Sequence, residues 1–119
     1  MIIAFACAGN PETKGSAKAF RHRQSGKVIV RNDNPRCAAW ATAIGWAAKQ
    51  AMAGRPPLTG PVIVGAEFTF IRPRTSKLSH PPLDLDKLLR ALLDAMTGIV
   101  YVDDRQVVRF GAPGKRWGD

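Results

Sequence analysis

The feature that most constrains the fold is a run of large apolar residues at helical spacing in the C-terminal half of the chain. Between positions 85 and 96 these residues recur at i, i+3, i+4, i+7, i+8 and i+11: Leu85, Leu88, Leu89, Leu92, Leu93 and Met96. This spacing puts them on one face of an α-helix. The opposite face is polar and carries Asp86, Lys87, Arg90 and Asp94. Gly98 supplies the expected end of the helix.

A second helix is predicted upstream. Asn34 followed by Pro35 is typical of a helix start, and the alanine-rich segment that follows is expected to run to about Ala53, with Gly54 as its stop. One face of this helix is apolar and carries Trp40, Ile44, Ala47, Ala48 and Ala51. Trp46 points away from that face, which suits a dimer contact, a surface anchor or a partly buried packing residue.

Four segments have the β-branched and aromatic content of strands, at residues 1–8, 27–31, 61–70 and 106–110. Because 119 residues suffice for one core, we predict a single domain over residues 1–119. The expected fold class is α+β, with a mixed β-sheet packed by two helices. A domain this small buries a modest share of its surface, so dimer formation would add to its stability.

The charge balance indicates a polyanionic partner. The chain has 18 Lys and Arg residues against 9 Asp and Glu, which gives a net charge of +9. The cations concentrate in two loops, at residues 9–26 and 72–82, and nucleic acid is the leading partner. The candidate DNA-binding residues are Lys14, Lys18, Arg21, Arg23, Arg72, Arg74, Lys77 and Lys87.

Other classes of partner and site fit the sequence less well. The basic stretches read as loops rather than as a cationic amphipathic helix, and the apolar N-terminal segment is too short to span a bilayer, so no membrane partner is expected. Cys7 and Cys37 lie far apart without a Cys or His neighbour at metal-binding spacing. They suit buried thiols in a reducing cytoplasm.

Acidic residues cluster in one part of this basic chain. Five of the nine acids fall between positions 84 and 104: Asp84, Asp86, Asp94, Asp103 and Asp104. Carboxylates within a DNA-binding surface repel phosphates unless a cation lies between them. If residues 99–102 return beside the helix start, then Asp103 and Asp104 join Asp84 and Asp86 in an oxygen-ligand site for Mg²⁺.

Each acid also has a simpler interpretation. Asp84 alone suits a helix cap, and Asp94 suits an i, i+4 pair with Arg90 on a solvated helix face. Adjacent aspartates such as Asp103 and Asp104 are common in turns. The functional hypothesis therefore depends on the combination.

The ordered set from Asp84 to Gly98, followed by Tyr101-Val102-Asp103-Asp104-Arg105-Gln106-Val107, resembles the signature of the RusA-like Holliday junction resolvases. The glycine- and lysine-containing segment at residues 9–16 is similar to an early loop of that family. The resemblance implies a small α+β homodimer that makes paired nicks in four-way DNA junctions with Mg²⁺ or Mn²⁺. It also implies that Asp84, Asp86 and Asp104 are catalytic metal ligands and that Asp103 accompanies them.

Some positions depart from the family pattern. Arg90 stands where the family usually has a lysine that assists at the scissile phosphate, and Lys87 stands where asparagine is common. Arg90 keeps the positive charge and is our fourth catalytic candidate, although arginine and lysine present that charge differently. The departures leave open a catalytically impaired DNA-binding protein. A third possibility is a basic RNA-binding protein that stacks bases on Phe68 and Phe70.

Overall fold

Two α-helices form one layer of the molecule. The computed structural model describes residues 1–13, 17–21, 28–32 and 36–118. Helix α1 spans Arg36–Met52 and helix α2 spans Leu85–Met96. Ala53 and Gly54 follow α1 with φ of 52° and 81°, and Gly98 follows α2 with φ of 83°. Both predicted helices are confirmed, since these left-handed positions end them where the sequence indicated.

The strands form two separate pairs in the described part of the chain. Strands β1 (Ala17–Arg21) and β2 (Val28–Asn32) are antiparallel, and strands β3 (Val62–Phe70) and β4 (Val107–Trp117) are parallel. The α+β class is consistent with this arrangement. The expected single mixed sheet is wrong, because each pair forms its own two-stranded sheet.

Strand β4 is longer than the predicted strand at 106–110 and continues to Trp117. Pro113 and the neighbouring glycines are unfavourable residues within a strand. The structure accommodates them with an irregular register: Gly65 pairs with Gly111, but Glu67 pairs with Gly114. Pro113 therefore lies in a bulge, where its missing N–H breaks no regular pairing.

The N-terminal segment is not a strand, contrary to the prediction for residues 1–8. Its side chains do alternate: Ile3, Phe5 and Cys7 are half-buried against the core, and the residues between them are exposed. A cavity of about 990 Å³ is lined by both this segment and β3. The predicted alternation is present, but none of the strands that the structure describes pairs with this segment.

The core lies between the helices and the inner face of β3. Its main members are Trp40, Ile44, Ala48, Met52, Phe68, Phe70, Leu88, Leu89, Leu92, Met96, Val100 and Tyr101. Phe68 and Phe70 are buried, so their rings are not available to stack on RNA bases. Trp46 is 64% exposed, so its interpretation as a partly buried packing residue is wrong. Neither Cys7 nor Cys37 forms a disulfide, both are half-buried, and burial raises the pKa of the Cys7 thiol.

Candidate functional site

Two of the predicted acids lie at the beginning of α2. Asp84 occupies the N-cap position with extended backbone angles, but its carboxylate makes no capping hydrogen bond. Instead, Asp84 Oδ2 lies 3.4 Å from Lys87 Nζ, and both side chains are more than half exposed. Asp86 is exposed in the first helical turn. The simple capping interpretation of Asp84 therefore fails, and both carboxylates are accessible from solvent.

The other two acids lie in a turn that begins β4. Asp103 Oδ1 accepts a hydrogen bond from Arg105 N at 2.9 Å, at the start of a short 3₁₀ helix over Asp104–Gln106. This bond engages the half-buried Asp103 carboxylate in the turn. The Asp104 residue is exposed.

Gln106 fixes that turn, although it was not among the predicted site residues. Its Oε1 accepts hydrogen bonds from the backbone N–H groups of Val102 and Asp103, each at 2.9 Å. Its Nε2 donates to the carbonyls of Leu58 and Gly60 at 2.8 and 2.9 Å. One side chain thus joins the acidic turn to the segment that enters β3. The glutamine already present in the family pattern was the signal that could have indicated this role.

Tyr101 places Asp104 relative to α2. The side chain is fully buried, and its hydroxyl donates to the Leu93 carbonyl at 2.7 Å. Burial raises the pKa of Tyr101 to about 12, and the negative charges of Asp104 and Asp94 also raise this pKa. A hydrogen bond with Thr97 lowers it. Asp104 and Asp94 therefore lie near the same phenol, beside the C-terminal half of α2.

Asp84 and Asp86 lie at the start of α2, whereas the turn with Asp103 and Asp104 follows Tyr101, whose hydroxyl bonds Leu93 in the second half of the helix. Asp86 and Leu93 are seven residues apart, which corresponds to about 10 Å along a helix axis. Gly98 N donates to Tyr101 O at 2.7 Å in the turn that follows α2, and the expected return of residues 99–102 to the helix start stays a prediction. Within the described residues, no three His, Cys, Asp or Glu side chains form a group that fits a metal ion. The metal roles of Asp84, Asp86, Asp103 and Asp104 stay predictions, because the described chain does not present them as a formed ligand set.

The predicted DNA-binding cations have different environments. Arg74 and Lys77 are exposed in the β3–α2 loop, which we define as residues 71–83, and Lys87 and Arg90 are exposed on α2. Arg72 is engaged by the protein itself: Nη1 donates to the Leu78 carbonyl at 3.0 Å. Lys18 and Arg21 lie in β1, where the structure describes only the backbone. Lys14 and Arg23 lie outside the described residues.

Comparison with known families decides what kind of protein carries this arrangement. A family model described as endodeoxyribonuclease RusA matches residues 9–119. The chain belongs to the RusA family. This confirms the resemblance drawn from residues 84–107 and extends it across the helices, β3 and β4.

The RusA match includes both acid pairs, the β3–α2 loop and the exposed cations of α2. No curated protein and no solved structure matches the chain. In the described ranges, none of the helices combines the length and apolar character needed to cross a membrane.

Proposed function

We propose that this protein is an endonuclease that resolves four-way branched DNA by paired nicks. The observation that carries the proposal is the RusA family match over residues 9–119, which contains both acid pairs in their expected order. The net charge of +9 supports a DNA partner independently, because it attracts the phosphate backbone regardless of sequence.

The start of α2 is the part of the surface best suited to the reaction. The exposed Asp84 and Asp86 follow directly on a loop that carries the exposed Arg74 and Lys77. Cations there would hold a backbone phosphate beside the carboxylates, and Arg90, one turn beyond Asp86, would stabilise the charge that develops on the phosphate. In this proposal Asp84, Asp86, Asp104 and Arg90 are the catalytic residues.

A homodimer and a divalent ion complete the proposal. Two active sites related by two-fold symmetry would face the two opposed strands of a junction, whose own symmetry is nearly two-fold. Family membership supports dependence on Mg²⁺ or Mn²⁺, which would supply electrostatic stabilisation of phosphodiester cleavage. Among the described residues, no three His, Cys, Asp or Glu side chains form a group that fits that ion.

The test is single-turnover cleavage of a synthetic four-way junction beside a linear duplex built from the same arm sequences. We expect symmetrical nicks in the junction in the presence of Mg²⁺, little cleavage of the duplex, and no cleavage in EDTA. Equal cleavage of both substrates would contradict structure selectivity. Junction cleavage that is unaffected by EDTA would contradict the metal requirement.

The variant Asp86→Asn separates cleavage from binding. It removes one negative charge from a surface that must accept phosphates, so we expect cleavage to disappear while junction binding is retained or strengthened. Glu67→Gln is the matched control, because Glu67 is exposed, pairs with Arg116 on the β3–β4 sheet and makes the same change of charge. Loss of junction binding in a folded Asp86→Asn protein would exclude this role.

A DNA-binding protein with impaired catalysis is the second candidate. Arg90 and Lys87 depart from the usual family residues, and the described acids do not form a metal-binding group. This alternative predicts selective junction binding without nicks at any Mg²⁺ or Mn²⁺ concentration. The cleavage assay above therefore distinguishes the two.

A further inference from the structure

The C-terminal half of β4 holds the β3–α2 loop at two points. At the first point, the Leu78 carbonyl accepts hydrogen bonds from Trp117 Nε1 and Arg72 Nη1, both at 3.0 Å. The Arg72 guanidinium also lies over the Trp117 ring, 5.1 Å from its centroid. A carbonyl with two donors and a stacked cation is a restrained part of the loop.

The second point lies immediately before the candidate site. Lys115 Nζ donates to the Leu83 carbonyl at 2.6 Å, and Leu83 is the residue that precedes Asp84. Lys115 is half-buried, and a hydrogen bond from an ammonium group is stronger than one between neutral groups. This contact restrains the chain where it enters α2.

Both anchors arise from the same face of β4. Lys115 and Trp117 are two residues apart, so their side chains lie on the same side of β4. In the register of the sheet they pair with the buried Phe68 and Phe70. The Trp117 ring meets Phe70 edge to face, with centroids 6.5 Å apart, and Gly118 N donates to Phe70 O at 2.8 Å. The anchors are therefore attached to the core.

Arg74 and Lys77 lie between Arg72 and Leu78 and are exposed. Their backbone is held by the contacts at Leu78 and by a turn in which Ser76 N donates to Pro73 O at 3.0 Å. Fixing a loop in one conformation before binding lowers the entropy lost when its side chains engage a ligand. Arg72, by contrast, uses its guanidinium to hold the loop.

We propose that Lys115, Trp117 and Arg72 are positioning residues, which hold the β3–α2 loop so that Arg74 and Lys77 meet the DNA backbone beside Asp84. The inference rests on the proposed function and assigns Arg72 to the loop anchor instead of to a phosphate. Trp117 acts on DNA affinity through Arg74 and Lys77. Lys115 acts on the cleavage rate through Asp84.

The first experiment requires no DNA. Limited trypsin digestion of the full chain measures cleavage after Arg74 and Lys77, whose bonds become accessible when the loop opens. Trp117→Phe keeps the aromatic ring but removes the Nε1 donor, and Lys115→Met removes the ammonium donor. We expect each to speed cleavage at these bonds roughly three- to tenfold, as expected for loss of one hydrogen bond, and Lys115→Arg to restore protection. Digestion rates equal to those of the unaltered protein would overturn the anchoring.

The second experiment measures junction affinity and single-turnover cleavage at saturating protein. Trp117→Phe should weaken binding roughly three- to tenfold in the native background and should change nothing in an Arg74→Ala/Lys77→Ala background. Lys115→Met should lower the saturated cleavage rate more than the affinity. Arg116→Met is its matched control, because it removes one positive charge from the neighbouring residue, which pairs with Glu67.

The outcomes separate this inference from the proposed function. If the unaltered protein neither binds nor cuts the junction, the proposed function fails and the DNA role of the loop fails with it. If the unaltered protein is active but Lys115→Met and Arg116→Met behave alike, only the positioning role is overturned. Equal effects of Trp117→Phe in both backgrounds would overturn it as well.

Discussion

Tyr101 and Gln106 show how single side chains connect the acidic turn to the rest of the molecule. Tyr101 is fully buried, and its hydroxyl donates a hydrogen bond to the Leu93 carbonyl of α2. Gln106 joins the same turn to Leu58 and Gly60. The backbone of the turn that carries Asp104 is therefore held on both sides. This restricts the positions that the Asp104 carboxylate can reach.

The first prediction concerns the pH dependence of stability. The pKa of Tyr101 is raised from 10.0 to about 12 in the folded chain. As pH rises, the unfolded state therefore loses this proton before the folded state does. The stability that the neutral phenol contributes is complete below about pH 10 and is lost as pH rises towards 12. Tyr101→Phe has no proton to lose there.

We expect the difference in free energy of unfolding between the unaltered protein and Tyr101→Phe to fall over that pH range. Urea denaturation of both proteins at a series of alkaline pH values measures this difference, and subtracting one from the other cancels the titration of the lysines. A difference that stays constant through the range would contradict the assigned environment of Tyr101.

At the level of elements, α2 combines two properties that are usually separate. Its apolar face provides much of the core, through Leu88, Leu89, Leu92 and Met96. Its polar face presents Asp86, Arg90 and Asp94 at intervals of four residues. Because the inner face is packed, the outer face is held rigidly, as a catalytic surface requires.

The second prediction uses Arg90, the site position that departs most from the family pattern. If its charge stabilises the phosphate in the transition state, Arg90→Lys should retain substantial activity and Arg90→Ala should lose on the order of 10²-fold or more in cleavage rate. Binding should change little. Single-turnover cleavage at saturating protein, with folding checked by thermal melting, measures both variants.

A surface role for Arg90 has a different signature. If Arg90 only pairs with Asp86 or Asp94, the alanine variant should cost at most about 1 kcal/mol of stability and should cut junctions at nearly the normal rate. That result would exclude Arg90 from the catalytic residues.

At the scale of the whole molecule, the net charge of +9 determines how binding responds to salt. Each phosphate that a cation neutralises releases condensed counterions, so affinity falls linearly with salt concentration on logarithmic axes. The exposed cations near the start of α2 are Arg74, Lys77 and Lys87. The site should therefore account for part of the salt slope.

The third prediction follows from that distribution. Arg74→Ala and Lys77→Ala should each reduce the magnitude of the salt slope by about 0.9, as expected for one lost phosphate contact. Arg55→Ala is the control, because Arg55 is exposed just after α1 and has the same charge. Junction affinity measured across a salt series provides the slopes. Equal slopes for all three variants would remove the β3–α2 loop from the DNA interface.

The sequence by itself determined the helices of this protein and the order of its candidate site residues. A helix is specified by neighbours three and four positions apart, so the leucine spacing of α2 and the left-handed Gly54 and Gly98 carry their information locally. The acid motif is likewise readable as a linear pattern, and it was sufficient to identify the family.

Only the tertiary structure decided which segments pair and which distant residues hold the acidic turn. The N-terminal alternation predicted a strand but does not specify a hydrogen-bonding partner, and β4 continues past Pro113 because β3 lies beside it. The bonds that place the site are similarly remote: Gln106 reaches Leu58 across 48 positions, and Lys115 reaches Leu83 across 32. Such contacts depend on how distant segments meet in the folded chain, and local residue preferences do not encode that meeting.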